Sequence, residues 1–219
     1  MSHARRARAE QVETTRARIL EAAERLFAEH GVFAVSSRQI SEAAGQGNNA
    51  AVGYHFGGKT ELVRAIVRRH ARQTEEIRER LLDRHGGSDA LRDWVTCVVR
   101  PFTDHLATLG NPSWYARFAA QLMTEPNLRR LAAVEVGAAP TLHAVLDGLH
   151  RRLPHLTPAV RQERDDMAHT LITHFCARRE RTMPPGADSR SVWAATTTSL
   201  VDALEGLYGA PCQSIEDRI

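Results

Sequence analysis

Arg38, Asn48 and Asn49 are the residues whose types and spacing point most directly to a chemistry, and that chemistry is hydrogen bonding to base edges. An Asn amide matches the donor and acceptor that adenine presents in the major groove. An Arg guanidinium matches O6 and N7 of guanine, and each such pair gives about 1–3 kcal/mol of discrimination. The two asparagines follow Gly45-Gln46-Gly47, and Arg38 follows Ser36 and Ser37. A local reading of the same residues is equally open, with Asn48 as a helix N-cap and Arg38 as a solvated side chain.

Presenting those side chains to a groove requires two short helices. Ser36 and Gln39 have the Ser-x-x-Gln spacing of a capping box, and Ile40, Ala43 and Ala44 give the helix it opens a small apolar face. Gly45, Gln46 and Gly47 end that helix. A second one is predicted over about Asn48 to His55, turning Ala51, Val52 and Phe56 inward. Two short helices across a glycine turn are the pattern of a helix-turn-helix, whose second helix enters the major groove while the first braces it. Before the pair, a helix is predicted from about Gln11 to His30, with Ile19, Ala22, Ala23, Leu26 and Phe27 on one face and Gly31 as its stop. After it, Gly57 and Gly58 break the chain ahead of a long helix from about Lys59 to Arg84.

The stretch from Thr15 to Arg69 resembles the DNA-binding head of TetR-family regulators. The resemblance rests on Ala-Ala-Glu-Arg-Leu-Phe-Ala-Glu-His-Gly from Ala22, Arg-Gln-Ile-Ser-Glu-Ala-Ala-Gly from Arg38 and Val-Gly-Tyr-His-Phe-Gly-Gly-Lys from Val52, in unbroken order. By position it implies that Arg38 contacts a base, that His55 and Lys59 contact phosphates and that Asn49 falls where the family reads bases. The DNA-contacting set so implied is Ser37, Arg38, Asn48, Asn49, Ala50, Tyr54, His55 and Lys59. From Gly45 to Phe56 the chain has one residue more than the commonest family pattern, so Asn48 and Asn49 both stay candidates. Gly53 stands where many members have a tyrosine, and Tyr54 beside it faces either DNA or the core.

Apolar positions recur at helical spacing almost throughout, with no sustained apolar–polar alternation, so the chain reads as all-α. The resemblance implies an N-terminal three-helix helix-turn-helix head followed by a larger helical effector-binding and dimerisation domain. The expected division is a disordered basic arm over residues 1–10, a DNA-binding domain over 11–58 and a ligand-binding and dimerisation domain over 59–219. The function implied is a homodimeric, sequence-specific transcriptional repressor on a palindromic duplex operator, released by a small-molecule effector. Two other readings compete: a ligand-independent activator or architectural protein sharing the same head, and an enzyme with the head as accessory module.

Beyond the head, breaks at Gly86-Gly87-Ser88, Gly110-Asn111-Pro112, Glu125-Pro126-Asn127, Pro154 to Pro158 and Pro184-Pro185-Gly186 separate five expected helices. Trp94, Phe102, His105, Trp114, Phe118, His174 and Phe175 are the candidate lining of a ligand pocket, as rings with a few polar groups among them. Filling the core is the competing role for each. Pro101 is expected to kink its helix. Met167, Leu171 and Phe175 form an i, i+4, i+8 stripe, and Ala195, Ser199, Ala203 and Gly206 form a row of small residues. By resemblance these two helices would build a four-helix bundle with their symmetry mates, and packing within the monomer's own core is the competing role.

Composition narrows the alternatives. Gly45-Gln-Gly-Asn-Asn-Ala50 matches a dinucleotide-binding fingerprint, but a capped amphipathic helix precedes it where that fingerprint needs a strand. No Gly-x-Ser-x-Gly, His-Glu-x-x-His or P-loop is present. His169 and His174 are spaced wrongly for one helical face, and Cys97, Cys176 and Cys212 lie far apart, so neither metal nor cofactor is expected. No apolar run approaches the roughly 18 residues needed to span a bilayer, which predicts a cytoplasmic protein with no membrane partner. Net charge is only +3. The N-terminal arm is more informative, since Arg5, Arg6, Arg8, Arg16 and Arg18 face only Glu10 and Glu13.

Overall fold

The computed structural model describes residues 2–48 and 50–212, and every element among them is helical. Ten helices follow in order: α1 (Ser2–His30), α2 (Ser37–Ala43), α3 (Ala51–Phe56), α4 (Lys59–His85), α5 (Leu91–Thr108), α6 (Tyr115–Thr124), α7 (Pro126–Gly137), α8 (Pro140–Arg151), α9 (Pro158–Thr182) and α10 (Ser189–Gly209). The all-α reading holds. Two compact units divide the chain, one built from residues up to Ala71 with Ser113–Val136, the other from Arg72–Pro112 with the residues from Gly137 onward.

Three expectations change. The disordered arm over residues 1–10 is helical from Ser2, because alanine and arginine favour helix and nothing before Gly31 breaks it. Arg6 pairs with Glu10 one turn on at 3.3 Å, which adds local support. Asn48 lies before α3, not in it, since that helix starts at Ala51. Six helices, not five, follow α4, because the segment after Pro126 breaks again between Gly137 and Pro140, where the proline takes the first turn of α8.

In the first unit, Ile19, Ala23 and Phe27 of α1 are buried with Ile40 of α2, Val52 and Phe56 of α3, and Leu62, Val63 and Ile66 of α4. Burying each large apolar side chain contributes about 1.5–3 kcal/mol, so this shared core is what holds the short α2 and α3 in place. Phe27 also stacks on Phe118 of α6, ring centroids 6.1 Å apart. His70 of α4 stacks on Tyr115 at 3.6 Å and meets Glu24 at 2.8 Å. Glu135 of α7 accepts from Arg64 at 3.0 Å and Arg68 at 2.6 Å, and these guanidiniums, Arg68 foremost, hold its carboxyl below the usual range.

In the second unit, α5 packs on α10 and α8. Leu81, Cys97 and Val145 form a cluster joining α4, α5 and α8, flanked by Ile77, Leu82 and Val98. At its edge Glu75 accepts from Arg78 Nη1 at 2.5 Å and from the Thr141 N–H at 3.2 Å, so one carboxylate pairs with a buried guanidinium and takes one N–H of the first turn of α8. Asp165 of α9 likewise serves two partners, the Tyr208 hydroxyl at 2.9 Å and His150 Nε2 at 2.9 Å.

Candidate nucleic-acid interface

Ser36 caps α2 as its spacing predicts. Its hydroxyl accepts from the Gln39 N–H at 3.2 Å, while the Gln39 side chain accepts from the Ser36 N–H at 2.8 Å. That cap fixes Ser37 and Arg38 in the first turn, and with Ile40 buried beneath them Arg38 stands exposed. Its Nε donates to Glu42 at 2.8 Å, one turn further along the same face. That pair is an exposed one and a weak interaction in water, so it leaves the guanidinium available for exchange.

Gly45, at φ +67°, takes the left-handed conformation that turns the chain after α2. Asn48 then closes a local turn: its Oδ1 accepts from the Ala50 N–H at 2.9 Å, and its backbone carbonyl accepts from the Ala51 N–H at 3.0 Å. The Asn48 acceptor is thus engaged locally, while Asn49 lies outside the described residues. Ala50 is exposed immediately before α3.

Because α3 has only six residues, its inward positions are Ala51, Val52 and Phe56, and the opposite side belongs to Gly53 and Tyr54. Tyr54 is 78% exposed, which removes the option that it faces the core. Its ring meets the edge of His55 at 4.9 Å. Gly57, at φ +80°, ends the helix, and α4 begins two residues later with Lys59. The lysine is half-buried and donates to the Val32 carbonyl at 3.2 Å, an ammonium with three protons retaining two for other partners. The first N–H groups of α4 have no intrahelical acceptor, which makes the same corner a favourable seat for a phosphate.

Arg16 is a positioning residue that the sequence reading left among the arm charges. Its guanidinium lies 4.3 Å from the Phe56 ring and donates to the His55 carbonyl, tying α1 to the end of α3. Arginine and phenylalanine 40 residues apart give no periodic signal, so only the folded chain reveals the pair.

The remaining candidates scatter. Trp94 is buried in the second unit, where its ring lies over Gly148 and its Nε1 donates to the Ser88 carbonyl at 2.9 Å. His105 is buried and Phe102 half-buried on the same helix, whereas Trp114 and Phe118 belong to the first unit. His174 is exposed, and Phe175 lies half-buried with Arg179 over its ring at 5.7 Å. Met167, Leu171, Ala195, Ser199, Ala203 and Gly206 are all exposed, while Ile172, Cys176, Trp193, Leu200 and Leu204 bury the other sides of α9 and α10. Among the described residues no group of three His, Cys, Asp or Glu side chains could hold a metal, and no helix is long and apolar enough to cross a membrane.

Comparison with known proteins gives two family matches within the chain. Residues 19–66 match the model for bacterial regulatory proteins of the tetR family, and residues 96–206 match that for the tetracyclin repressor-like C-terminal domain. The transcriptional repressor AcnR of Corynebacterium glutamicum is 40% identical over 63 residues, 29% of this chain and 33% of AcnR, so the match spans about a third of that relative. A tetR-family regulatory protein from Rhodococcus RHA1 shares the fold over 87% of this chain and 96% of its own, with a TM-score of 0.55 at 18% identity. NalD of Pseudomonas aeruginosa, described as the secondary repressor of the MexAB-OprM multidrug efflux pump, is 25% identical with a TM-score of 0.51, covering 88% of this chain and 96% of NalD. With a C-terminal match over more than half of the chain and an N-terminal match across the helix-turn-helix, this protein belongs to the tetR family of bacterial regulatory proteins.

Proposed function

We propose that this chain is a homodimeric transcriptional repressor that occupies a palindromic DNA operator and leaves it when a small molecule binds residues 59–219. One observation carries the DNA reading: a capped α2, a glycine turn and a six-residue α3 are held from below by Ile40, Val52 and Phe56, which leaves Arg38 and Tyr54 outward. Arg38, with Asn48 or Asn49, supplies base contacts, and His55 with Lys59 supplies phosphate contacts. AcnR and NalD, both named repressors, support the direction of control. The effector reading is supported by the C-terminal match to a tetracyclin repressor-like domain.

Selection of duplexes from a randomised pool, followed by fluorescence anisotropy on the enriched sequence, tests the reading. Lys59→Ala is expected to weaken binding to every sequence alike and to lower the salt slope by about one per head. Arg38→Ala is expected to relax preference at one base pair by roughly ten- to a hundredfold. Unchanged affinity in both variants would refute the assignment. A releasing effector must bind the DNA-incompetent arrangement more tightly, and a roughly 100-fold preference lies within ordinary allosteric coupling. Operator DNA must then weaken effector binding by the same factor.

A further inference from the structure

We propose that the N-terminal turns of α1 form a second DNA-contacting element, in which Arg5 and Arg8 bind the backbone of duplex flanking the site read by α2 and α3. The inference rests on the DNA-binding reading above and adds to it a surface that the helix-turn-helix does not contain.

One stripe along α1 joins the core to the arm. Phe27, Ala23 and Ile19 are buried in the head, at spacings of four that keep them on one side of the helix. The stripe continues through Arg16, Val12, Arg8 and Arg5 at spacings of three, four, four and three. Arg5 lies eleven residues from Arg16, three helical turns within about 20° of azimuth and roughly 16 Å along the axis. The direction Arg16 faces is fixed by its cation–π contact with Phe56 and its donation to the His55 carbonyl. Arg5 therefore continues that direction past the end of the apolar core, and Arg8, about 80° around the helix towards the Ile19 side, flanks it.

Charge on the arm is segregated in the same sense. Glu10 and Glu13 are the acidic residues before Arg16, and the helical period places Glu10 about 120° around from Arg16 and Glu13 at the edge of the stripe, on the side away from Arg8. Glu10 pairs there with Arg6. Arg5 and Arg8 are exposed. A helix face that changes from phenylalanine and isoleucine to arginine as it leaves the core is suited to an anionic surface, and it starts from the corner assigned to phosphate contacts. Duplex DNA running past that corner supplies a regular line of phosphates. A helix also presents the two guanidiniums in fixed register, at lower ordering cost than a disordered arm.

The test uses the full-length protein and the enriched core sequence placed in two duplexes, one ending at the core and one carrying about one extra helical turn at each side. Arg5→Ala/Arg8→Ala is the variant, and Arg6→Ala, off the stripe, is the control. Both alter exposed residues, and unchanged helix content by circular dichroism verifies the fold. On the long duplex the double variant is expected to lower the salt slope by roughly two per head and to bind roughly ten- to a hundredfold more weakly at physiological salt. On the short duplex it is expected to match wild type, and Arg6→Ala to match wild type on both. An unchanged salt slope on the long duplex, an equal loss on both lengths, or an equal loss in the Arg6→Ala control would overturn the inference while leaving the helix-turn-helix reading intact. If the wild-type protein enriched no duplex at all, the DNA reading itself would fall and this inference with it.

Discussion

At the scale of single residues, burial separates the three cysteines. Desolvation, the leading cause in both cases, pushes the Cys97 thiol up to about 11 and the Cys176 thiol up to about 12, whereas Cys212 is exposed. Thiolate is the reactive species, and at pH 7 Cys97 is ionised to only about one part in 10⁴. A disulfide reagent such as Ellman's is therefore expected to titrate one thiol rapidly in the folded protein and three in denaturant. Rapid reaction of two or more in the native state would contradict the burial of Cys97 and Cys176. The same shift gives a pH dependence. Between the ordinary thiol value of 9.0 and about 11 the folded Cys97 keeps a proton that the unfolded chain releases, so stability falls as pH rises through that window. The cap of α2 and the inward side of α2 and α3 were legible in the sequence because local rules govern them. Ser36 with Gln39 announced the cap, and Ile40, Val52 and Phe56 announced the inward side. Asn48 was ambiguous because an asparagine beside a helix start serves a turn or a base equally well. The fold assigns its Oδ1 to the Ala50 N–H.

At the scale of elements, α8 carries a glycine whose role is packing. Alanine normally improves on glycine within a helix by about 0.8–1 kcal/mol. At Gly148 a Cβ would collide with the Cζ3, Cη2 and Cε3 atoms of Trp94, a ring that cannot easily retreat while its indole N–H is held by the Ser88 carbonyl. Gly148→Ala is therefore expected to destabilise by about 2–3 kcal/mol, the reverse of its helix propensity, with Tm falling by roughly 5–10 °C. Equal or greater stability in thermal or urea unfolding would show that the α5–α8 contact yields. In the sequence Trp94 reads as a pocket residue or a core residue alike, because a ring at helical spacing looks the same whether it lines a space or fills one. The glycine opposite is 54 positions away, and no periodicity links the two. Helix boundaries failed for a related reason. The break at Pro140 lies in an alanine-rich stretch without the paired turn residues that marked the other breaks. The arm, judged by charge alone, concealed the helix propensity of its alanines and arginines.

At the scale of the whole molecule, what the fold leaves uncovered on α9 and α10 bears on assembly. Met167 and Leu171 are 47% and 38% exposed, and they line a shallow groove with Glu163, Asp166 and Thr170. On α10 the small residues Ala195, Ser199, Ala203 and Gly206 stand in a row on the solvent side, while Trp193, Thr196, Leu200 and Leu204 hold the other side to the core. A charged surface would be the ordinary finish for an exposed helix, and two large apolar residues beside a row without bulk suit the close approach of another helix. A second copy of the same pair satisfies this by two-fold symmetry, because an isologous interface needs one self-complementary patch. Ala203→Glu is expected to place two carboxylates at the axis-near row of such an interface and to split the dimer. Sedimentation at micromolar concentration is expected to report a dimer for the wild type and a monomer for the variant, with unchanged helix content in both. Operator affinity must fall with the dimer, since each separated head keeps only its own half-site and loses the linkage that makes the second contact intramolecular. A wild-type monomer at that concentration would refute the assembly and the palindrome together. A variant that stays dimeric would move the interface elsewhere on the molecule and leave the apolar pair on α9 without the role given it here.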